Sequence, residues 1–518
     1  MSDVSRASTR TADTDADAPQ GAAPDGVEAA TTAPAPVTRA FLWWLGGIMA
    51  VGLAIRVAFV LIRQSSVELV TGDAYWYHFQ AKLVAEGRGF LHPFDFYKDG
   101  IVAPGADHPP GFVLILAALD AIGIDSPQGQ RLVMCLVGTA SIAVIAYLGR
   151  RVATPTVGLI AAGIAAVYPN IWINDGMLMV ETVFILATAV SLLGCYRFLD
   201  RPNRWDAALV SAALTVAAMT RPEAMVLFVI LVVPLVACRR TVPVRERLVQ
   251  LVVAAVIPIV AFAPWLVYNM TRFDTPVLIS TGAGQTLAAG NCDLTYAGDF
   301  LGFYDTKCLL APQIEEPTTE DRSLRDGEYR ELATTYMSEH ADELPKVMAA
   351  RVGRLWHLFR VDQSIGLDGY IEGRAGGAPG TGFGLVREAL WSYYVLTALA
   401  IGGLVVLKRR GRQIYPLLAQ PLLVTVIAAG TFGITRYRAG VEVSIVIGAA
   451  VALGALATWM FGQRPADAGT DTPDAATAPR TENDTRTEND TRTETDPSTE
   501  TDTENGDRPP LATAPTGD

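Results

Sequence analysis

The residues best placed to do chemistry lie in one stretch, Thr71-Gly72-Asp73-Ala74-Tyr75-Trp76-Tyr77-His78, and its sequel, Ala106-Asp107-His108-Pro109-Pro110-Gly111. An acid, three aromatics and a histidine stand just beyond an apolar run, Phe41 to Ile62. A carboxylate so placed can take a hydroxyl proton as a general base. Asp73 also reads as an ordinary helix N-cap, its oxygen accepting first-turn N–H groups. Tyr75, Phe79 and Leu83 recur at helical spacing, so a helix is predicted here, closed by Gly87 and Gly89. The three aromatics fit an interfacial belt as well. His108-Pro109-Pro110 also fits a helix start, where proline is favourable. His78 and His92 take no assigned role.

More ionisable groups stand at the edges of apolar runs: Arg131, Glu181, Arg221 with Glu223, and Arg436 and Arg438 followed by Glu442. Such groups are costly near lipid and point to function by default. Arg221 and Glu223 also read as a local ion pair in a tight turn. Arg436 and Arg438 also read as snorkelling anchors. Their place on the outer side runs against the positive-inside bias and favours an anionic ligand. A guanidinium fork suits a phosphate.

These residues need a membrane scaffold. The chain has 518 residues, 50% of them hydrophobic. A span takes about 20 apolar residues. Apolar runs fall at 41–62, 110–124, 131–149, 156–171, 176–198, 206–219, 223–238, 248–270, 388–407, 413–432 and 439–461. The expected fold is an all-α polytopic membrane protein of about 10–11 spans. Basic clusters at Arg150-Arg151, Arg239-Arg240 and Lys408-Arg409-Arg410 mark the inner side, leaving 271–387 outside and both tails inside. The short run 110–124 leaves the parity open, since counting it as a span puts Arg150-Arg151 outside.

The net charge of −12 belongs to the tails. Residues 1–39 carry 6 acids and 3 bases, and residues 463–518 carry 14 acids and 5 bases, so the rest is neutral. Nucleic acid is not a plausible partner. Both tails are expected to be disordered and cytoplasmic. The first lacks a signal-peptide pattern, and the last repeats Arg-Thr-Glu-Asn-Asp-Thr from Arg480 and Arg486. Between the tails the chain divides into an N-terminal membrane module at 40–270 with a first external loop at 63–109, an external loop at 271–387, and C-terminal helices at 388–462.

The second external loop is too long for a simple connector. Cys292 and Cys308 lie in it, and outside the membrane such a pair favours a disulfide. Cys135, Cys195 and Cys238 read as apolar packing. No cysteine spacing suggests a metal site. Residues 320–360 are predicted helical, interrupted by Pro345, with Arg351, Arg354 and Arg360 on helices lying against the membrane face. The Gly-rich segment 366–384 is expected to be mobile.

With these residues laid out, the chain resembles the GT-C superfamily of membrane glycosyltransferases, and within it the bacterial protein-O-mannosyltransferase-like branch, glycosyltransferase family 39. The resemblance rests on Gly72-Asp73-Ala74-Tyr75, Ala106 to Gly111, Gln130-Arg131-Leu132, Tyr168-Pro169-Asn170, Glu181-Thr182, Leu214 to Ala224 and Thr435-Arg436-Tyr437-Arg438. It covers roughly 40–460, and its specificity lies in the order and spacing of the motifs. It implies an enzyme in the plasma membrane that moves a sugar from a polyprenyl-phosphate donor to a glycan, lipid or protein acceptor at the external face. It implies Asp73 as the catalytic residue, acting as base or orienting the acceptor, and Arg131, Arg436, Arg438 and Arg221 as holders of the leaving phosphate. Tyr75 and Trp76 would stack on a sugar, with Asp107, His108 and Glu181 also binding substrate.

Two departures stand out. Mannosyltransferases acting on proteins carry an Asp-Glu pair where this chain has Asp73-Ala74, which puts a protein acceptor in doubt. Aminoarabinose transferases carry Glu-Lys where it has Asp107-His108. No cofactor is implied. No metal is implied either, since a lone Asp lacks the clustered oxygens a divalent ion needs, although Asp107 could join it. A transporter or flippase of lipid-linked intermediates is the alternative, but it should show inverted repeats or broken central helices, and no internal repeat is visible. A non-catalytic membrane scaffold is the third reading, and it would need neither Asp73 nor the arginines.

Overall fold

The computed structural model describes residues 36–310, 321–370 and 383–461. The expectations for residues 1–35, for 463–518 and for most of the Gly-rich segment lie outside those residues. Among the described residues every regular element is a helix, and the one β-type pairing is an isolated bridge between Leu91 and Pro104.

Among the described residues six helices are long and apolar enough to cross a membrane. They are α1 (Arg39–Gln64), α4 (Pro127–Val152), α6 (Glu181–Asp200), α9 (Val244–Met270), α14 (Phe383–Arg409) and α16 (Val441–Phe461). A seventh span is possible if α5 (Pro155–Val167) and the short helical piece Pro169–Gly176 act together, although they bend by 65°. Pro169 causes the bend, because Tyr168 before it is held extended. The other runs behind the expected 10–11 spans form shorter helices. These are α3 (Pro110–Ala121), α7 (Arg204–Thr220), α8 (Pro222–Ala237) and α15 (Tyr415–Gly430). At 1.5 Å per residue a 12-residue helix such as α3 is roughly 18 Å long, against a hydrocarbon core of about 30 Å.

Helix α4 packs against α1, α5 and α6, and α14 runs along α16. Small residues let that last pair close up: a Cβ on Gly403 would stand 1.8 Å from the carbonyl oxygen of Gly448. Lipid supplies little hydrophobic drive for helix association, so close backbone packing of this kind matters. A buried ion pair ties α1 to the segment before α6, with Arg56 Nε 2.6 Å from Asp175.

Outside the spans, α2 (Gly72–Ala85) follows α1, as its apolar spacing predicts. The long loop after α9 carries α10 (Ala283–Ala289), α11 (Arg322–Glu339), α12 (Leu344–Leu355) and α13 (Val361–Tyr370). Cys292 and Cys308 are joined in a disulfide in this loop, with Cα atoms 5.8 Å apart. Cys135 and Cys195 are buried, whereas Cys238, expected as apolar packing, is exposed.

Pro345 sits in the first turn of α12, where its missing N–H costs nothing. Arg351 and Arg354 point inward and serve as backbone ties. Arg351 donates to the Gly290 and Ala429 carbonyls at 2.7 and 3.0 Å, and Arg354 to those of Leu301 and Asp299 at 2.7 and 2.8 Å.

Candidate active site

The candidate groups meet where helices start or break. Gly72 takes the left-handed conformation at φ +77°, which glycine adopts without steric cost. The chain turns there into α2 and presents Asp73 in the first turn. Thr71, not Asp73, holds the N-cap position, so the carboxylate is left for other partners. Pro110 opens α3 and sets His108 just ahead of it. Glu181 opens α6, after a turn in which Leu178 is held at φ 52°. Arg221 occupies the extended break between α7 and α8. Arg436 lies in the short turn Thr435–Arg438 between α15 and α16.

One chain of charges links these breaks. Arg436 Nη1 is 2.7 Å from Asp73 Oδ2, and Arg436 Nε is 2.5 Å from Glu181 Oε1. Arg221 Nη1 reaches the same Glu181 oxygen at 3.3 Å and donates to the Arg436 carbonyl at 3.3 Å. Arg221 Nε pairs with Glu223 at 2.8 Å, as the local ion-pair reading expects. His108 Nε2 stands 3.7 Å from Asp73 Oδ1. Exposure falls along the chain, from 33% for the Asp73 side chain through 14% for Arg436 to 1% for Glu181. Asp73 is thus the end that meets solvent, and Glu181 anchors the other end.

Burial alone pushes the Asp73 carboxyl up. Arg436, and then His108, outweigh burial and hold it at about 2. Asp73 is therefore ionised at neutral pH. Beside it, burial and then the Asp73 charge push the Tyr77 phenol well above its usual range, so it stays protonated. Tyr77 and Trp76 hold the His108 ring, with centroids 4.8 and 5.6 Å away.

Asp107 belongs to a neighbouring cluster. Its carboxylate accepts a hydrogen bond from Thr281 at 2.9 Å and stands 3.6 Å from His92 and 3.7 Å from Arg322. Arg322 also reaches Asp95 at 2.8 Å, and His92 meets the other Asp95 oxygen at 2.8 Å. This cluster fastens α11 and the segment after α9 to the first loop. It holds Asp107 one residue from His108.

Several expected site residues have different work. Arg131 donates to the carbonyls of Gln64 and Val67 at 2.8 and 3.2 Å, tying α4 to the end of α1, and makes no bond to the Asp73 network. Arg438 turns away toward Glu442 at 3.3 Å and the Leu355 carbonyl at 2.8 Å, with its guanidinium 3.8 Å from the centre of the Tyr393 ring. Tyr75 is buried against Phe79 and Phe94. Trp76 is buried too and donates to Gln80 at 3.1 Å. Neither leaves a ring face for a sugar.

Tyr77, His92, Asp95, Thr281 and Arg322 were not legible as site neighbours. Tyr77 sits inside the opening motif, but only its contact with His108 marks it out. Among the described residues no group of three His, Cys, Asp or Glu side chains is disposed to hold a metal ion.

Residues 107–268 match the family model described as dolichyl-phosphate-mannose-protein mannosyltransferase. The matched stretch contains His108, Glu181, Arg221 and Glu223, while Asp73 and Arg436 lie outside it. No curated protein sequence matches the chain. Among solved structures it is similar to the oligosaccharyltransferase of Archaeoglobus fulgidus in the apo form, at 13% identity and a TM-score of 0.48, over 82% of this chain and 51% of that one. The same organism's oligosaccharyltransferase AglB, in complex with an inhibitory peptide and a dolichol-phosphate, aligns at 12% identity and a TM-score of 0.45, over 82% of this chain and 51% of that chain. ArnT from Cupriavidus metallidurans bound to undecaprenyl phosphate aligns at 14% identity and a TM-score of 0.39, over 81% of this chain and 79% of that one. The chain spans about half the length of the archaeal enzymes.

Proposed function

We propose that this protein is an integral membrane glycosyltransferase of the GT-C type. It takes a sugar from a polyprenyl-phosphate donor and passes it to a hydroxyl-bearing acceptor. The observation that carries this reading is the contact between a partly exposed carboxylate, Asp73, and a guanidinium, Arg436, that Glu181 holds from the other side. The match of residues 107–268 to a lipid-phosphate-dependent mannosyltransferase family supports it.

The chemistry follows from the two charges. The acceptor O–H loses its proton to an Asp73 oxygen as its own oxygen bonds to the sugar anomeric carbon. The bond from that carbon to the donor phosphate breaks, and its electron pair stays on the phosphate oxygen. Arg436, itself largely buried, faces the growing phosphate charge, and a preplaced guanidinium stabilises that charge without reorganisation. Attack opposite the leaving phosphate inverts the anomeric centre. Arg221 braces Arg436 and Glu181 and adds a second positive charge.

The contact with Arg436 keeps the base in reserve. A carboxylate at about 2 is a weak proton acceptor. Donor phosphate competes with Asp73 for Arg436. Once Arg436 turns to the phosphate, Asp73 loses its largest charge partner and becomes more basic, just as the acceptor needs it.

The site faces the outside of a bacterial plasma membrane in this reading. Thr281, in the same loop as the Cys292–Cys308 disulfide, is bonded to Asp107 beside the site, so both lie on one side of the membrane. A structural disulfide belongs to the oxidising side.

The test is sugar transfer from labelled polyprenyl-phosphate sugars by purified protein in lipid, with cell-envelope extract as acceptor. Asp73→Asn should lower transfer 10²- to 10⁴-fold, the range for losing a general base, while leaving the fold intact. Undiminished transfer by this variant would remove Asp73 from the mechanism.

A further inference from the structure

Beside the charge network lies a groove of about 610 Å³ that none of the motifs assigns. One wall is the segment 275–281, between α9 and α10, and the other is the first half of α11. The groove touches the candidate site at two points. Pro222, in its lining, directly follows Arg221. Thr281, also in its lining, donates its hydroxyl to Asp107, the neighbour of His108. A molecule lying in the groove therefore touches residues next in sequence to Arg221 or bonded to Asp107.

The lining defines the chemistry of that molecule. The charged lining side chains are Asp326 and Arg330, and they pair with each other. Asp326 also accepts the Gly284 N–H at 2.5 Å. The charged side chains of the lining thus offset each other. Thr275 and Ser280, two hydroxyl-bearing residues, are in the lining. Leu278 and Leu324 supply apolar surface from the two walls. The volume falls in the range of small-molecule sites, roughly 300–1,000 Å³. A neutral ligand with many hydroxyls and apolar C–H faces fits this description, and an anionic headgroup does not.

The walls are held in place. Arg322, at the start of α11, is bound to Asp95 and Asp107 of the first loop. The Asp274 N–H donates to Asp321 at 3.1 Å, and the Thr275 N–H to Ser323 at 3.0 Å. The groove is therefore built in advance of any ligand, which lowers the ordering cost of binding.

We propose that this groove is the acceptor site and that it takes a neutral glycan of a few sugar units. The proposal rests on the transferase reading for its role, but occupancy of the groove can be tested without turnover. The probe is a neutral hexose trisaccharide carrying a diazirine, added to the full-length protein in lipid nanodiscs. Binding of undecaprenyl phosphate is measured on the same samples.

Photolabelling should fall on peptides covering 275–281 and the first half of α11. It should drop at least tenfold in Ser280→Trp and in Leu324→Trp, which fill the groove from opposite walls, while undecaprenyl phosphate binds both variants as it does the wild type. Absent labelling, labelling elsewhere, or labelling unchanged in both variants overturns the proposal. Displacement of the probe by a Ser/Thr-rich peptide but not by unlabelled trisaccharide overturns the assignment to a glycan. Loss of undecaprenyl-phosphate binding by the wild type would count against the transferase reading alone, because the labelling result stands without it.

Discussion

Arg436 bridges two carboxylates at once, with Nη1 2.7 Å from Asp73 and Nε 2.5 Å from Glu181. Asp73 starts α2 and Glu181 starts α6, so one side chain joins two helix starts more than a hundred residues apart. A phosphate entering here meets a guanidinium already engaged on two edges.

Competition between Asp73 and phosphate makes a prediction with an unusual sign. Asp73→Asn removes the charge that holds Arg436, so it should bind undecaprenyl phosphate more tightly, by about tenfold, equivalent to roughly 1.4 kcal/mol. Transfer falls in the same variant. Arg436→Met should weaken the same binding by 10-fold or more. Equilibrium binding in nanodiscs measures both, and weaker binding by the Asp73 variant would contradict the shared-arginine mechanism.

The pH profile should separate the free enzyme from its complex. Asp73 has a depressed pKa while Arg436 is paired with it, so its carboxylate form persists as pH falls until about 2. The acid limb of kcat/KM, which reports the free enzyme, should show no loss from Asp73 above pH 4 or so. The limb in kcat reports the complex, where Arg436 faces phosphate, and should lie at higher pH. Coincident limbs would mean that Arg436 stays with Asp73 throughout.

Arg131 and Arg436 should behave oppositely. Arg131 serves two backbone carbonyls at the α1 and α4 junction. Arg131→Met should cost about 2 kcal/mol of stability, the order expected for charge-assisted hydrogen bonds lost inside the protein. Its donor KM should stay near the wild-type value. A donor KM raised tenfold at unchanged thermal stability would return Arg131 to the phosphate site.

Reduction of the Cys292–Cys308 disulfide should loosen the loop that carries Thr281. Closing a loop with a sequence separation of 16 contributes about 3 kcal/mol in the chain-entropy picture. Cys292→Ser with Cys308→Ser should therefore lower the unfolding temperature, and added reductant should have no further effect on that variant. Equal sensitivity of both proteins to reductant would show that the bond is not formed.

Much of this organisation was readable without coordinates. Apolar runs separated by basic clusters announced a helical membrane chain, because lipid leaves backbone groups no alternative to internal hydrogen bonds. Polar residues at the ends of those runs stood out by their cost. Asp73, Glu181, Arg221 and Arg436 were singled out that way, and they prove to be linked in one chain of contacts. The Cys292 and Cys308 pair was likewise visible from its setting in one long loop.

The partners of each group were not readable. Arg436 and Arg438 are two residues apart, and either fits a phosphate by type, yet one faces Asp73 and the other faces Glu442 and Tyr393. The turn between α15 and α16 is a 3-10 turn of about three residues per turn, so side chains two positions apart point in different directions. Tyr75 and Trp76 look suited to sugar by type, but α2 rotates both into the loop core. Arg322 lies more than two hundred positions from Asp95 and shows no local sign of its role.

From the sequence alone came the membrane class, the approximate spans and the identity of the groups that lipid makes expensive, because those depend on composition and local spacing. Only the tertiary structure decided which charges meet, which arginine is left to face the opening, and that a groove lies beside it. Those depend on helix rotation and on contacts between residues hundreds of positions apart, which no local pattern encodes.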